Sequence, residues 1–412
     1  MRDPTVVEAR RVHGFVVGLV CVVLVACGSE TPAQREVAAA LDTDALAQRF
    51  QAELDRAWEE AQSTQENFPG ATAAFMLPDG RLFSFATGFD DVEAGLAMTP
   101  DRRMPSGSIG KTYVAAVALQ LAQTGRLDLD RRISDWWGEE DWFGRLPNGP
   151  DLTLRILLRH TGGLIDHAFD SEKFREWARS SIGEGQRDSY LTPFEVVELV
   201  LDREPLFPAG EGYDYTDSGY ILAGVTIERA TGETYYDLVR ELFLDPLSLE
   251  LTLPADRRDL AGLAQGYAHE SSVFFGTPLH ILEDGVMVIH PLGEWTGGGL
   301  VNNPQDLVRW GRALYTGDAI DGDYLDQLLA IGFVEDPAKP NDGYGLGVYV
   351  RDTPHGPSYG HGGFYPGYNS RLVHFPDQGV TIAMQINSDK SELGRHLLTL
   401  TGLVLDAVAE SH

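Results

Sequence analysis

Strand signals cluster at the two ends of this 412-residue chain, and helix signals fill the middle. Few architectures accommodate that distribution. Residues 71–77 and 82–88 are rich in β-formers and flank Pro78-Asp79-Gly80-Arg81, which reads as a hairpin. Beyond residue 340, strands are expected over 344–351, 370–375 and 380–386, with a turn at Pro376-Asp377-Gln378-Gly379. Between these ends the pattern is helices and loops. The economical arrangement is α+β: an α/β/α sandwich around one central antiparallel sheet drawn from both ends of the chain. An all-helical subdomain of about residues 112–295 is inserted into it.

The helices carry their own start signals. Residues 42–63 step Leu46, Phe50, Leu54 and Trp58 along one face. Thr192-Pro193-Phe194-Glu195 is a capping box with Pro at the first helical position, and Asn303-Pro304 opens another helix. Further helices are expected over 219–230, 234–243 and 392–408, and a short apolar one within 151–160.

The first 40 residues lie outside this fold. Arg10 and Arg11 precede an apolar run over 15–26, too short to span a bilayer comfortably, so residues 1–26 read as a signal peptide. Leu24-Val25-Ala26-Cys27 resembles the lipobox of bacterial lipoproteins. That resemblance implies cleavage before Cys27, lipidation of its thiol, and a tether over 27–40 leading to a catalytic domain over 41–412. The expected location is an exported lipoprotein, membrane-anchored and facing the periplasm or cell exterior. The second cysteine, Cys21, falls inside the signal, so the exported body has no disulfide and relies on its core. A formal charge of -30 argues against nucleic acid and against electrostatic docking on anionic lipid. Contact with a membrane is therefore expected through lipid on Cys27 alone.

Residues 104–125 carry the chemistry. Ser108 and Lys111 stand in an S-x-x-K spacing at the start of an expected helix that Gly125 ends. Three residues make about one helical turn, so hydroxyl and amine share a face. The chain has four lysines against twenty-eight arginines, so it nearly always uses Arg where charge alone would serve. A base needs an amine that gives up its proton, and Lys does this where Arg does not.

Two further segments complete a pattern: PAGEGYDYTDSGYILAG over 208–224, holding Tyr215-Thr216-Asp217, and YGHGGFYPGYN over 359–369, holding His361-Gly362-Gly363. With S-x-x-K they resemble, in order and spacing, the three motifs of serine β-lactamases and penicillin-binding proteins. The relatives most alike are class C enzymes, D-aminopeptidases and family VIII esterases. LLRHTGG near 160 and GGGLVNNPQDL near 300 extend the likeness, which covers about residues 68–410. It implies a β-lactamase/transpeptidase-like fold and a serine hydrolase that acts through an acyl-enzyme. Ser108 would be the nucleophile, activated by Lys111, by Tyr215, or by the two sharing a proton. His361 would face the site as donor and proton partner. The backbone N–H groups of Ser108 and Phe364 would form the oxyanion hole, and Gly362 and Gly363 would let the strand approach a substrate. His160 is expected to fix the loop after a helix. No cofactor or metal is implied, the expected substrate is a small molecule or short peptide, and the sequence sets no oligomeric state.

Two positions depart from the family pattern. Asp217 stands where Asn is usual, and a carboxylate accepts hydrogen bonds but donates none. A carboxylate near Lys111 also favours the charged amine. Either Asp217 turns away, or Tyr215 as phenolate moves the proton while Lys111 stays charged. Gly362 stands where relatives often carry a hydroxyl that binds the substrate carboxylate. Both changes favour an ester, or an amide whose amine meets Asp217, over a β-lactam or a D-alanyl-D-alanine end. The competing expectation is a lipid-anchored pseudoenzyme that binds cell-wall peptide without turning it over.

Overall fold

The computed structural model describes residues 41–64, 67–183, 186–269, 278–334, 336–390 and 393–411. The expected signal peptide, Cys27 and the expected tether lie outside the described residues. Nine strands form one antiparallel sheet. The amino-terminal part supplies β1 (Gly70–Met76), β2 (Leu82–Asp91) and β3 (Leu96–Ala97). The carboxy-terminal part supplies β4 (Phe333–Val334), β5 (Gly343–Tyr344), β6 (Tyr349–Thr353), β7 (Gly356–Tyr365), β8 (Tyr368–Phe375) and β9 (Val380–Ile386). The spatial order is β3-β2-β1-β9-β8-β7-β6-β5-β4. The two ends of the chain meet where β1 pairs with β9, from Ala71 opposite Ile386 to Met76 opposite Thr381.

Helices cover both faces of the sheet. The principal ones are α1 (Thr43–Gln62), α2 (Gly110–Gln123), α3 (Asp217–Thr231), α4 (Pro304–Thr316) and α5 (Leu393–Glu410). Helix α1 starts where Asp42 accepts a hydrogen bond from the Ala45 N–H. Its Leu46, Phe50 and Leu54 form one core with Leu397, Leu400 and Val404 of α5 and with Ala71, Ala73 and Phe75 of β1. Ala74 and Met76, pointing the opposite way, belong to the second core with α2, α3 and α4. Every residue of β1 is therefore buried, which explains its run of apolar and small side chains. In the second core the Trp310 ring stacks on Tyr113 at 3.9 Å, and its indole N–H donates to Thr112 at 2.8 Å.

The structure differs from the sequence reading in three places. The middle of the chain is not purely helical, because short strands interrupt it at Leu253–Pro254, Leu282–Glu283 and Val286–Met287. The first of these pairs with Leu300–Asn302, which also pairs with Met104–Pro105, so three segments distant in sequence brace the residues leading to Ser108. That middle stretch has no core of its own, since its helices share one apolar cluster with Leu372 and Ala383 of the sheet. The stretch expected as one strand over 344–351 is split into β5 and β6 around Gly345-Leu346-Gly347, where Gly347 has φ +68°.

Candidate active site

Ser108 lies in a single 3₁₀ turn, Gly107–Ile109, directly ahead of α2. Gly107 has φ +52°, and a Cβ there would fall 2.6 Å from the Phe364 nitrogen. A Cβ on Gly363 would fall 1.7 Å from the Ser106 carbonyl oxygen and 3.2 Å from the Ser108 nitrogen. Only glycine at both positions lets the nucleophile turn press against β7. Gly363 thus makes room for the protein's own backbone rather than for a substrate. The same contact brings the Ser108 and Phe364 main-chain nitrogens, the expected oxyanion donors, into one corner. The Ser106 N–H and hydroxyl both donate to the Leu300 carbonyl at 3.0 Å, tying the turn to the small braced sheet.

One helical turn on, Lys111 is fully buried. Its Nζ lies 3.1 Å from the Ser108 Oγ, donates to the Gly297 carbonyl, and forms an ion pair with Asp217. Three acceptors match the three donors of an ammonium, so the resting amine is charged and saturated. The Tyr215 and Tyr220 rings stand 5.0 and 5.3 Å from the same nitrogen. Asp217 does not turn away. It is the first residue of α3, with its own N–H donating to Asp166 Oδ2 at 2.7 Å and the preceding Thr216 hydroxyl capping the helix.

Tyr215 is half-buried, with its hydroxyl oxygen buried beside Ser108, and among the described residues that oxygen makes no hydrogen bond of ordinary geometry. Burial and then the Asp217 charge push the phenol well above its usual range, opposed by the Ser108 hydroxyl. The resting Tyr215 is thus a phenol, not the phenolate that one sequence alternative required. His160, in a left-handed conformation at φ 59°, accepts from the Thr216 N–H at 3.1 Å and lies 4.1 Å from the Tyr215 ring. It supports Tyr215 from behind as well as fixing its own loop.

His361 departs from the role expected of it. Its Nδ1–H donates to the Gly362 carbonyl at 2.5 Å, and its Nε2 accepts from the Tyr344 hydroxyl at 3.0 Å. Burial, chiefly, pushes the imidazole down to about 3. With both nitrogens engaged and the ring neutral, His361 positions β7 and is not a proton donor to Ser108 in this geometry.

A family model described as Beta-lactamase matches residues 47–405. The chain belongs to the Beta-lactamase family. It is similar to a penicillin-binding protein of Bacillus subtilis (strain 168), 25% identical, over 75% of this chain and 66% of that one. It is also similar to the esterase EstB of Burkholderia gladioli, 29% identical over 78% of this chain and 80% of that one. Among solved structures, a D-stereospecific amidohydrolase from Streptomyces sp. superposes with a TM-score of 0.72 at 26% identity. That match covers 84% of this chain and 97% of the other. The chain therefore spans just under two thirds of the Bacillus protein and nearly all of the amidohydrolase chain.

The sequence reading missed three residues that shape the surroundings of Ser108. The first is Arg371, opposite Gly362 in the β7–β8 register. A Cβ on Gly362 would fall 2.4 Å from an Arg371 guanidinium nitrogen, so the space above Gly362 holds a cation rather than nothing. Arg371 borders a groove of about 520 Å³ that also contains Ser108, Tyr215 and His361. The other two are Asp166 and Glu294. Glu294 and Asp217 line a second cavity of about 330 Å³ on the other side of Ser108, whose walls include Phe169, Phe174, Trp177 and Ile289. Trp295 and Thr296 are core residues, the latter donating to the Tyr220 carbonyl at 2.8 Å.

Burial and then the Asp217 charge push Asp166 up to about 7 and Glu294 up to about 8. Unfolded carboxyls titrate near 4. The stability these two groups contribute is complete below that value and is lost as pH rises through 7 and 8. Buried His160, His167 and His361 act oppositely. Burial pushes all three down, so their contribution is lost on acidification below about pH 6.5. The melting temperature is expected to peak near about pH 6.5 and fall by several degrees towards pH 9. Scanning calorimetry across pH 5–9 checks this, and an alkaline limb that stays flat would contradict the placement of the two carboxyls.

Proposed function

We propose that this chain is a serine hydrolase forming an acyl-enzyme on Ser108, with small amides and esters, D-amino-acid amides among them, as substrates. The observation that carries the reading is the Ser108 Oγ 3.1 Å from the Nζ of fully buried Lys111, with the Tyr215 hydroxyl beside the same oxygen. As Oγ attacks the carbonyl carbon, its proton passes to Lys111 while Lys111 gives one to the Asp217 carboxylate. The ammonium is preserved, and the negative charge moves from Asp217 to the tetrahedral oxygen. General-base help of this kind is typically worth about 10²–10⁴ in rate. The Ser108 and Phe364 N–H groups stabilise that oxygen, each worth about 10²–10³. Tyr215, as a phenol, donates to the departing amine or alcohol and regains a proton through Lys111. Water then attacks the acyl carbon by the same route in reverse.

The names of relatives support this range: one is an esterase, and one solved neighbour is a D-stereospecific amidohydrolase. Arg371 favours a second reading, a peptidase acting on cell-wall peptides that end in a free carboxylate. The lipobox-like Leu24-Val25-Ala26-Cys27 supports an exported, lipid-anchored form acting outside the cytoplasm.

Mass spectrometry after incubation with p-nitrophenyl acetate, and separately with benzylpenicillin, tests the proposal. An acetyl increment mapped to the Ser108 peptide is expected, with little penicilloyl adduct. A stable penicilloyl adduct would move the peptidase reading to first place. No adduct and no ester turnover would leave a non-catalytic cell-wall binder.

A further inference from the structure

The sequence offers Asp217 as the group that meets a substrate amine, but Asp217 is engaged by Lys111. A second carboxylate faces the same space. Glu294 sits between two short 3₁₀ turns, Pro291–Gly293 and Trp295–Gly297. Buried Trp295 and the Thr296 hydrogen bond to Tyr220 fix the second turn, which aims Glu294 at the cavity. Among the described residues the Glu294 side chain makes no hydrogen bond and no ion pair. The cation nearest in charge, Lys111, is already saturated.

Resting on the hydrolase reading above, we propose that Glu294 anchors a substrate ammonium group. The substrates are then amides or esters of amino acids, with the amine beside the scissile carbonyl and a bulky apolar side chain in the cavity. Three observations lead here. The cavity joins Ser108 to Glu294 directly, so an amine held on the carboxylate stands close to the carbonyl under attack. The walls around them are aromatic and aliphatic, with Phe169, Phe174, Trp177, Leu191 and Ile289 offering room for a side chain of phenylalanine size. Among the described residues of the wall there is no competing cation, because both histidines are neutral: His167 is pushed down to about 4, and His290 is also lowered, each mainly by burial.

The remaining titratable neighbours explain why an ammonium is wanted. Asp217 raises the Glu294 carboxyl and Lys111 lowers it, and burial outweighs both. Asp166 lies next to Asp217 and is raised as well. Tyr365 and Tyr236, also close enough to feel Glu294, are phenols. The empty site therefore holds Glu294 as a neutral acid at pH 7. An incoming ammonium supplies the missing positive charge, the carboxyl ionises, and one proton leaves to solvent.

Calorimetric titration of Ser108→Ala and of Ser108→Ala/Glu294→Gln with D-phenylalaninamide and 3-phenylpropanamide tests this without turnover. In Ser108→Ala the amine-bearing ligand is expected to bind at least tenfold more tightly. Buffers of different ionisation enthalpy should report net proton release at pH 7 that turns to net uptake at pH 9, where Glu294 is already ionised and the ligand α-amine, with a pKa of about 8, gains a proton on binding. With Glu294→Gln the two ligands should converge in affinity and the proton release should disappear. Equal affinities in Ser108→Ala, or an amine preference that survives Glu294→Gln, overturns the assignment. The Ser108 labelling experiment reports separately on the hydrolase reading. An acetyl adduct without amine preference defeats only the Glu294 anchor, whereas amine preference without an adduct defeats only the acyl-enzyme.

Discussion

Ser108→Ala is expected to lower kcat/KM for an activated ester by about 10⁴–10⁶, the range set by deleting a nucleophile from a preorganised hydrolase site. The fold should not notice. Ser108 is only half-buried, and its hydroxyl receives a single hydrogen bond, from Lys111. With that bond gone, the ammonium keeps the Gly297 carbonyl and the Asp217 carboxylate. The turn that carries residue 108 is held by Ser106 on Leu300 and by the close approach of Gly107 to Phe364, neither of which uses the Ser108 side chain. The melting temperature should therefore stay within about a degree of the parent, roughly the shift that a change under 1 kcal/mol produces in a body of this size. Burst-phase ester kinetics and calorimetry measure the two quantities together. Residual turnover within tenfold of the parent would remove Ser108 from the chemistry.

What could be read from sequence follows the range of the interaction concerned. The Ser108–Lys111 pairing is local, one helical turn, and the structure places the two atoms 3.1 Å apart. The hairpin at 78–81 and the capping box at Thr192–Glu195 are equally local, and they stand where their residue types put them. A sheet drawn from both ends of the chain was visible because its strands fall in two blocks, although their order was not. Strand β7 was known only as the bearer of His361. Its glycines at 356, 360, 362 and 363 erase the alternation that marks a strand, and those at 360 and 363 exist because other backbone lies against them. Arg371 was invisible as a site residue for a related reason. It reaches the groove only through the β7–β8 register that sets it opposite Gly362. Glu294 sits in irregular turns with no periodic signal, beside a core Trp and Thr. The role expected of His361 failed because its two hydrogen-bond partners, Tyr344 and its neighbour's carbonyl, take both ring nitrogens.

The electrostatic account of the pocket makes its sharpest claim at Lys111. Lys111→Met keeps the stem's volume and deletes the charge, leaving Asp217 with no cation and with Asp166 and Glu294 as acidic neighbours. Stability should fall by about 3 kcal/mol at pH 7, the usual cost of orphaning one partner of a buried pair. The loss should grow towards pH 9, because Asp166 and Glu294 add negative charge as they ionise, and shrink towards pH 5, where the carboxyls can share protons. Turnover should fall by about 10³ or more, since no group remains to take the Ser108 proton. In Lys111→Met/Asp217→Asn the orphan charge is gone, so most of the stability should return while turnover stays absent. Urea unfolding of the four proteins at pH 5, 7 and 9 gives the coupling energy directly. A double variant as unstable as Lys111→Met would mean that the loss is packing around the lysine stem. In that case Lys111 would not rest as Asp217's charged partner, and the proton route through Asp217 would fall with it.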